Sequence, residues 1–166
     1  MMKILVFSDS HASLRHMRTY LDAVKPDAAI HLGDYYDDGE AIAEEYPNVW
    51  FYQVSGNCDE YRRPIHAREI LVERVLGVDL YMTHGHRHRV KQSLFALLRD
   101  ARACGVQAAL YGHTHVPDCH QEEDGLWVLN PGASGYGGGT AGLIEVERNK
   151  ITSCRILRQE DLEDML

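Results

Sequence analysis

The sequence lacks any Cys-x-x-Cys pair. Its four cysteines, Cys58, Cys104, Cys119 and Cys154, stand singly, which excludes zinc-finger and thioredoxin-type spacing and reads as reduced thiols in a cytoplasmic compartment. Long apolar runs are also missing. Ile4 to Phe7 near the N-terminus is only four residues, far short of a signal-peptide core or the roughly 20 residues of a membrane span, so neither export nor anchoring is expected. Positive charge is scarce: 17 basic against 25 acidic side chains give −8. That is the wrong sign for gripping an extended nucleic acid by its phosphates. A small phosphate ester is still admitted if a local cationic centre, such as bound metal, overrides the global field. There is no internal repeat, no composition break, and no low-complexity linker longer than Gly137-Gly138-Gly139. Residues 1–166 therefore read as one domain. At this length a chain can bury roughly 68–70% of its unfolded surface, so a metal would serve function before structure.

Histidine is abundant. Of the 10, six fall at His84, His86, His88, His113, His115 and His120. The first half alternates strand and helix patterns: Lys3–Ser8 as a buried strand, Leu14–Val24 as a helix closed by Pro26, then Ala28–Leu32 as a strand. Glu40–Tyr46 reads as a short helix and Val49–Ser55 as a third strand. Such alternation argues for a parallel, helix-flanked sheet. The second half begins with antiparallel character, because Glu69–Leu76 and Asp79–Thr83 read as a hairpin. Ser93–Cys104 has helical spacing, with Leu94, Leu97, Leu98 and Ala101 on one face, and Ala108–Tyr111 is a short buried strand. Cys119–Glu122 and Leu126–Asn130 flank an acidic turn, and Gly142–Glu147 pairs with Ile151–Leu157 across Arg148-Asn149-Lys150. The tail Glu160–Leu166 reads as a frayed helical turn. The sum is an α/β domain with two sheets packed face to face and helices outside.

Potential ligands follow the strands in order: Asp9 and His11, Gly33-Asp34, Gly56-Asn57, His84, and Gly112-His113-Thr114-His115. In sheets of this kind ligands bind beyond the carboxyl ends of strands, so these loops should converge on one rim. Taken singly, Asp9 would pass for a cap or turn residue, Gly56-Asn57 for a turn, and the stretch from His84 to Arg89 for a solvated basic loop. Together they form two carboxylates, one amide oxygen and four imidazoles, a donor set suited to Mn, Fe, Zn, Ni, Co or Mg. Seven donors exceed what one catalytic ion uses and suit two ions sharing a carboxylate, for which the middle aspartate, Asp34, is the natural choice.

This arrangement resembles the calcineurin-like metallophosphoesterase superfamily, whose ordered signature is D-x-H, G-D-x-x-D, G-N, a lone histidine and G-H-x-H. Here it reads Asp9-Ser10-His11, Gly33-Asp34-Tyr35-Tyr36-Asp37, Gly56-Asn57-Cys58-Asp59, His84 and Gly112-His113-Thr114-His115. The match extends to the Asn130-Pro131-Gly132 loop. Short length and the Gly-Asn-Cys-Asp wording look most like the compact YfcE-type phosphodiesterase branch, which also includes the retromer scaffold subunit of vacuolar sorting. The resemblance implies a four-layer α/β/β/α sandwich of two mixed sheets. It also implies that Asp9, His11 and His115 hold one metal, that Asn57, His84 and His113 hold another, and that Asp34 bridges. Two divalent ions follow as cofactors, with Mn the first choice and Ni, Fe, Zn, Co or Mg as alternatives.

The activity implied is hydrolysis of a small phosphodiester by in-line attack of a hydroxide lying between the ions, with Asp34, Asn57 and His84 as catalytic residues. Many relatives carry His after the Asn as a leaving-group acid. This chain has Cys58, and a thiol with an ordinary pKa of about 8.5 is a poor acid at neutral pH. Cys58, Asp59 and His86 are candidate substrate contacts, Asp37 a supporting or structural residue, and Ala133 stands where relatives often have Ser. Tyr35, Tyr36, Tyr61, Arg62, Arg63, Arg87, His88 and Tyr136 are available to the rim. The competing readings are a phosphomonoesterase, a nucleotide pyrophosphohydrolase, and a non-catalytic protein-binding scaffold. A homo-oligomer is compatible with all of them, and no membrane partner is expected.

Overall fold

A computed structural model describes residues 1–61, 64–135 and 139–166. Arg62, Arg63, Tyr136 and the Gly137-Gly138 pair lie outside the described residues. β1 (Met2–Phe7) runs through the middle of the first sheet, and its side chains alternate between two cores. Ile4 and Val6 face inward to the second sheet, while Leu5 and Phe7 face outward to helix. This is the period-two alternation of a strand buried on both faces. β2 (Ala28–His31) and β3 (Trp50–Gln53) run parallel to it on one side; on the other, β9 (Ala141–Glu147) is antiparallel to β1 and β10 (Lys150–Leu157) is antiparallel to β9. The strand order is β10-β9-β1-β2-β3.

The second sheet has the order β4-β5-β6-β8-β7. β5 (Val78–Thr83), β6 (Ala108–Leu110) and β8 (Trp127–Asn130) are parallel; β4 (Ile70–Val75) and β7 (Asp118–Gln121) form antiparallel edges. Leu80, Met82, Leu110 and Leu129 meet Ile4, Ile30 and Ile144 between the sheets. On the inner surface the thiols of Cys119 and Cys154, one from each sheet, lie 3.1 Å apart.

Helices cover the outer faces. α1 (Arg15–Val24) seats Met17, Tyr20, Leu21 and Val24 against Leu5 and Phe7. It stops where Lys25 turns left-handed at φ 50 ahead of Pro26, which cannot continue the helix. α3 (Phe95–Ala103) seats Leu97, Leu98 and Ala101 on Tyr81, Ala109 and Val128. α4 (Gln159–Leu162) and a following 3-10 turn at Glu163–Met165 close the chain, with Leu162 buried beside α1. The result is the four-layer α/β/β/α sandwich of two mixed sheets.

Two hairpins close where the sequence suggests, but each turn is one residue shorter than the expected Leu76-Gly77-Val78 and Arg148-Asn149-Lys150, because Val78 and Lys150 already belong to the following strands. Leu76-Gly77 (φ 50 and 89) joins β4 to β5, and Arg148-Asn149 (φ 52 and 63) joins β9 to β10. Positive φ at both central residues matches the right-handed twist of the strands. One helix differs from expectation. α2 spans Tyr36–Glu45, starting four residues before the expected Glu40. Gly39 hides its first turn from propensity rules, but the position is a packing requirement: a Cβ there would collide with the Gln53 side chain and come within 3.4 Å of Phe51. Asp37 and Asp38 also suit the positive end of the helix dipole. Among the described residues, no helix is long and apolar enough to cross a membrane.

Candidate metal centre

The three parallel strands of each sheet end at the same edge, and their loops carry the donors. The loops are stitched together by backbone hydrogen bonds. Asp9 N–H donates to Gly33 (2.9 Å), Gly112 N–H to His84 (2.9 Å), and Ser134 N–H to Ser8 (3.0 Å) across the sheets. Gly112 sits where a Cβ would strike the Ser8 hydroxyl and come within 2.9 Å of Asp9 Oδ2, so only glycine lets the two sheets' loops approach. Five donor residues, Asp9, His11, Asp34, His113 and His115, have φ between 47 and 70. Each such left-handed non-glycine residue costs on the order of 1 kcal/mol, a concentration of strain expected where geometry serves a site.

Asp9 is the hub. Its Oδ2 accepts from the Ser8 hydroxyl (2.5 Å) and from the His113 amide (3.1 Å). Its Oδ1 faces the Nε2 atoms of His115 at 3.1 Å, His11 at 3.7 Å and His84 at 3.9 Å. Two groups of ligand atoms lie mutually within 4.8 Å, Asp9 with His11 and His115, and Asp9 with Asp34 and His84. Asp9 belongs to both groups, and Asp34 joins the second beside His84. His84 is fully buried; its Nδ1–H donates to the Leu32 carbonyl (2.8 Å), which leaves Nε2 available to a metal ion. That Nε2 lies 3.4 Å from Asp34 Oδ2 and 3.2 Å from His113 Nδ1. Asn57 opens a 3-10 turn (Asn57–Asp59) and is exposed, its amide nitrogen 3.8 Å from Cys58 Sγ.

The electrostatics suit a cation. Asp9 is completely buried and Asp34 is 3% exposed, yet among the described residues no Lys or Arg pairs with either. Buried carboxylates without a positive partner are expensive, and four imidazoles plus a divalent ion would settle that cost. Burial alone would raise the Asp34 carboxyl, but the hydrogen bond and charge of His84, with the Cys58 amide at 2.9 Å, hold it well below its ordinary range. Burial opposes protonation of His84, but Asp34 and Asp9 outweigh it and raise its basicity. His113 is pushed down to about 4 by burial and by His84, so it is a neutral donor at physiological pH. The Cys58 thiol is pushed up to about 11 by burial and by Asp34, which makes it a still weaker acid than its type suggests.

Several residues support the donors, and two of them, His31 and Asp38, carry no signal in the sequence motifs. His31, buried at the end of β2, accepts from the Gly33 amide at Nδ1 (3.2 Å) and so donates from Nε2 to Ser10 Oγ (2.9 Å). Ser10 in turn donates to Asp38 Oδ2 (2.6 Å), which also accepts the Ala12 amide (2.8 Å). This chain pins the Asp9–Ala12 loop to α2. The buried member of the Asp37-Asp38 pair is Asp38; Asp37 is exposed. Asp59 uses both oxygens on backbone amides, taking Asp34 and Gly56 at Oδ2 and Tyr36 at Oδ1, all within 2.9 Å. It therefore fixes the Asp34 and Asn57 loops to each other. Asn130 donates to the Gly112 carbonyl (3.2 Å) and Thr114 Oγ1 (2.8 Å), which gives the Asn130-Pro131-Gly132 loop the task of bracing His113 and His115.

Around the rim, Tyr35, Tyr36, Asp37, Cys58 and Asp59 line a small cleft of about 200 Å³. The His86 ring centroid lies 5.5 Å from that of His84 and 6.2 Å from that of His113. Tyr61 is 97% exposed. Two rim candidates are turned elsewhere: Arg87 pairs with Glu69 (3.1 Å), and His88 is buried against the Tyr81 hydroxyl (2.9 Å) and Asp100 (3.3 Å). His120 lies between Asp118 and Glu122 on β7, away from the other histidines. A cleft of about 520 Å³ beside Arg102, Gln107, Trp127 and Lys150 lies at the amino ends of the strands and holds none of the donors.

Comparison with known proteins identifies the family and agrees with the fold. The sequence model of the calcineurin-like phosphoesterase superfamily domain matches residues 2–149. The chain belongs to that superfamily. A probable metallophosphoesterase of Mycoplasma pneumoniae is 29% identical over 136 residues, covering 80% of this chain and 79% of its own. The probable metallophosphoesterase YsnB of Bacillus subtilis is 29% identical over 142 residues, covering 80% and 75%. Among solved structures, a conserved protein of Streptococcus pneumoniae described as a predicted phosphoesterase superposes with a TM-score of 0.73 at 26% identity, covering 96% of this chain and 90% of that one. The zinc complex of Vps29 from Entamoeba histolytica superposes at 0.71 with 18% identity, covering 95% and 98%, a likeness of fold. The donors Asp9, His11, Asp34, Asn57, His84, His113 and His115 all fall within the matched segment of this calcineurin-like domain.

Proposed function

We propose that this calcineurin-like domain is a metal-dependent phosphodiesterase that hydrolyses a small phosphodiester by in-line attack of water-derived hydroxide on phosphorus. The observation that carries the reading is the gathering of two buried carboxylates and four imidazoles at one edge of the sheets where, among the described residues, no Lys or Arg pairs with either carboxylate. Asp9, His11 and His115 would hold one divalent ion and Asn57, His84 and His113 a second, with Asp34 between them; Mn is the first candidate. Divalent ions held by these residues would supply an activated water and would offset charge on the phosphoryl oxygens.

The chain's own contribution is positioning. The Leu32 carbonyl fixes the His84 tautomer, and Asp38, Ser10 and His31 hold the Asp9–His11 loop. Preorganised donors of this kind need no rearrangement as charge develops. Proton donation to the leaving oxygen is the weak point. Cys58 holds its proton too tightly to give it up at neutral pH. A leaving group that departs without full protonation is therefore preferred, and aryl diesters should serve as test substrates.

The reading is tested by stripping the protein with chelator and assaying a chromogenic aryl phosphodiester beside the matching monoester, with Mn, Ni, Mg and Zn restored singly. Metal-restored diester cleavage is expected. Cleavage of the monoester alone would reassign the site to a phosphomonoesterase. Turnover of neither ester under any metal would favour a protein-binding scaffold, the reading that the fold likeness to Vps29 keeps in view.

A further inference from the structure

Beside the donors lies a second feature, a cleft of about 330 Å³ lined by His86, Arg89, Lys91, Gln92 and His113. It shares the His113 wall with the metal centre. Every lining side chain offers an N–H donor or a positive charge, and no carboxylate lines it, in a chain whose net charge is −8. Elsewhere the basic side chains are often neutralised. Arg87 is tied to Glu69, Arg99 to Asp100, and Arg102 to Glu122 and Asp124. Among the described residues, Arg89 and Lys91 have no carboxylate partner. Among the same residues, none hydrogen-bonds His86 Nδ1, which is buried.

The backbone builds this cleft on purpose-made turns. The His88 and Val90 amides both donate to the Gly85 carbonyl (3.1 and 3.3 Å), and the Gln92 and Ser93 amides to the Arg89 carbonyl (2.9 and 3.2 Å). Arg89 is held at φ 53. Buried His88 and Val90 anchor the loop inward, and exposed Arg89, Lys91 and Gln92 stand outward from the same fold. Cationic and amide donors in such a ring match phosphoryl oxygens, which accept several charge-assisted hydrogen bonds at once.

We infer that this cleft binds a second phosphoryl group of the substrate, next to the one that is hydrolysed. The inference rests on the phosphodiesterase reading and narrows it: the substrate is a phosphodiester or phosphoanhydride that carries a further phosphate.

The test uses the double variant Arg89→Gln/Lys91→Gln, with Lys150→Gln/Arg155→Gln on β10 as a control that removes equal charge from a distant edge. Binding of inorganic pyrophosphate to the metal-free protein is measured by calorimetry. In parallel, metal-loaded protein is assayed on the nitrophenyl ester of thymidine 5′-phosphate and on the same ester bearing a 3′-phosphate. Two lost charge-assisted contacts should weaken pyrophosphate binding by about tenfold or more and cut the preference for the 3′-phosphorylated ester by a similar factor. The control should leave both readouts near wild type. Unchanged pyrophosphate binding in the cleft variant, an unchanged preference between the esters, or an equal effect of the control overturns the inference. Failure of the wild type to cleave either ester would sink the hydrolase reading, and the binding arm would still decide whether the cleft holds phosphate.

Discussion

His31 gives the fold a pH dependence that can be calculated. The imidazole is completely buried at the end of β2, and burial pushes its pKa down to about 4 from 6.5, although Asp59 and Asp34 pull the other way. In the unfolded chain it titrates near its ordinary value of about 6.5. Below that pH the unfolded chain takes up a proton that the folded protein refuses, so stability falls as pH drops from about 6.5 to about 4. A displacement of that size is worth about 3 kcal/mol, at 1.36 kcal/mol per pH unit. Asp34, whose folded pKa is depressed, loses its contribution only as pH falls below about 4, beneath this window. The assay is urea unfolding of chelator-treated protein from pH 7.5 to 4, wild type against His31→Gln. The amide keeps a donor for Ser10 but cannot titrate. His113 and the carboxylates are common to both proteins, so the difference between the two curves isolates His31. At pH 7.5 wild type should be the more stable, and that advantage should shrink by about 3 kcal/mol by pH 4. A difference that does not change with pH would refute the reasoning.

Three further outcomes follow from the supporting residues. Asp38→Ala leaves the Ser10 hydroxyl and Ala12 amide without their acceptor and frees the Asp9–His11 loop; calorimetric metal affinity should fall by roughly 10–100-fold, as for other residues that orient ligands. Gly112→Ala forces a methyl group against Ser8 and Asp9, and urea unfolding should show a loss of about 1–3 kcal/mol together with weakened metal binding. Cys58→Ala should keep diester turnover within about threefold of wild type at pH 7. A loss near a hundredfold, the scale of a missing general acid, would show that the thiol protonates the leaving group.

The strand and helix segments, the helix-flanked first half and the hairpins of the second were legible because apolar periodicity and turn residues are local signals, whereas the order of strands within each sheet was not. The donor loops were legible too, since each follows a buried strand and strand ends in such sheets face one edge. Distances were not. Nothing in the order of residues reveals that Asp9 Oδ1 faces three histidines while Asp34 faces one. Asp38 and His31 were missed because their burial is set by packing between α2 and β2, and a helix beginning at Tyr36 was masked by Gly39. His88 and Arg87 looked alike in the sequence as basic rim residues, yet one turns inward to Tyr81 and the other pairs with Glu69.

The most direct test of the central claim is a titration of metal-free protein with Mn that follows bound metal and diester hydrolysis together, in wild type and in His84→Ala. Wild type should bind two ions with hydrolysis appearing on the second, and His84→Ala should be a folded protein that binds fewer ions and does not turn over. Full activity in His84→Ala, or wild-type hydrolysis complete at one ion per chain, would contradict that claim.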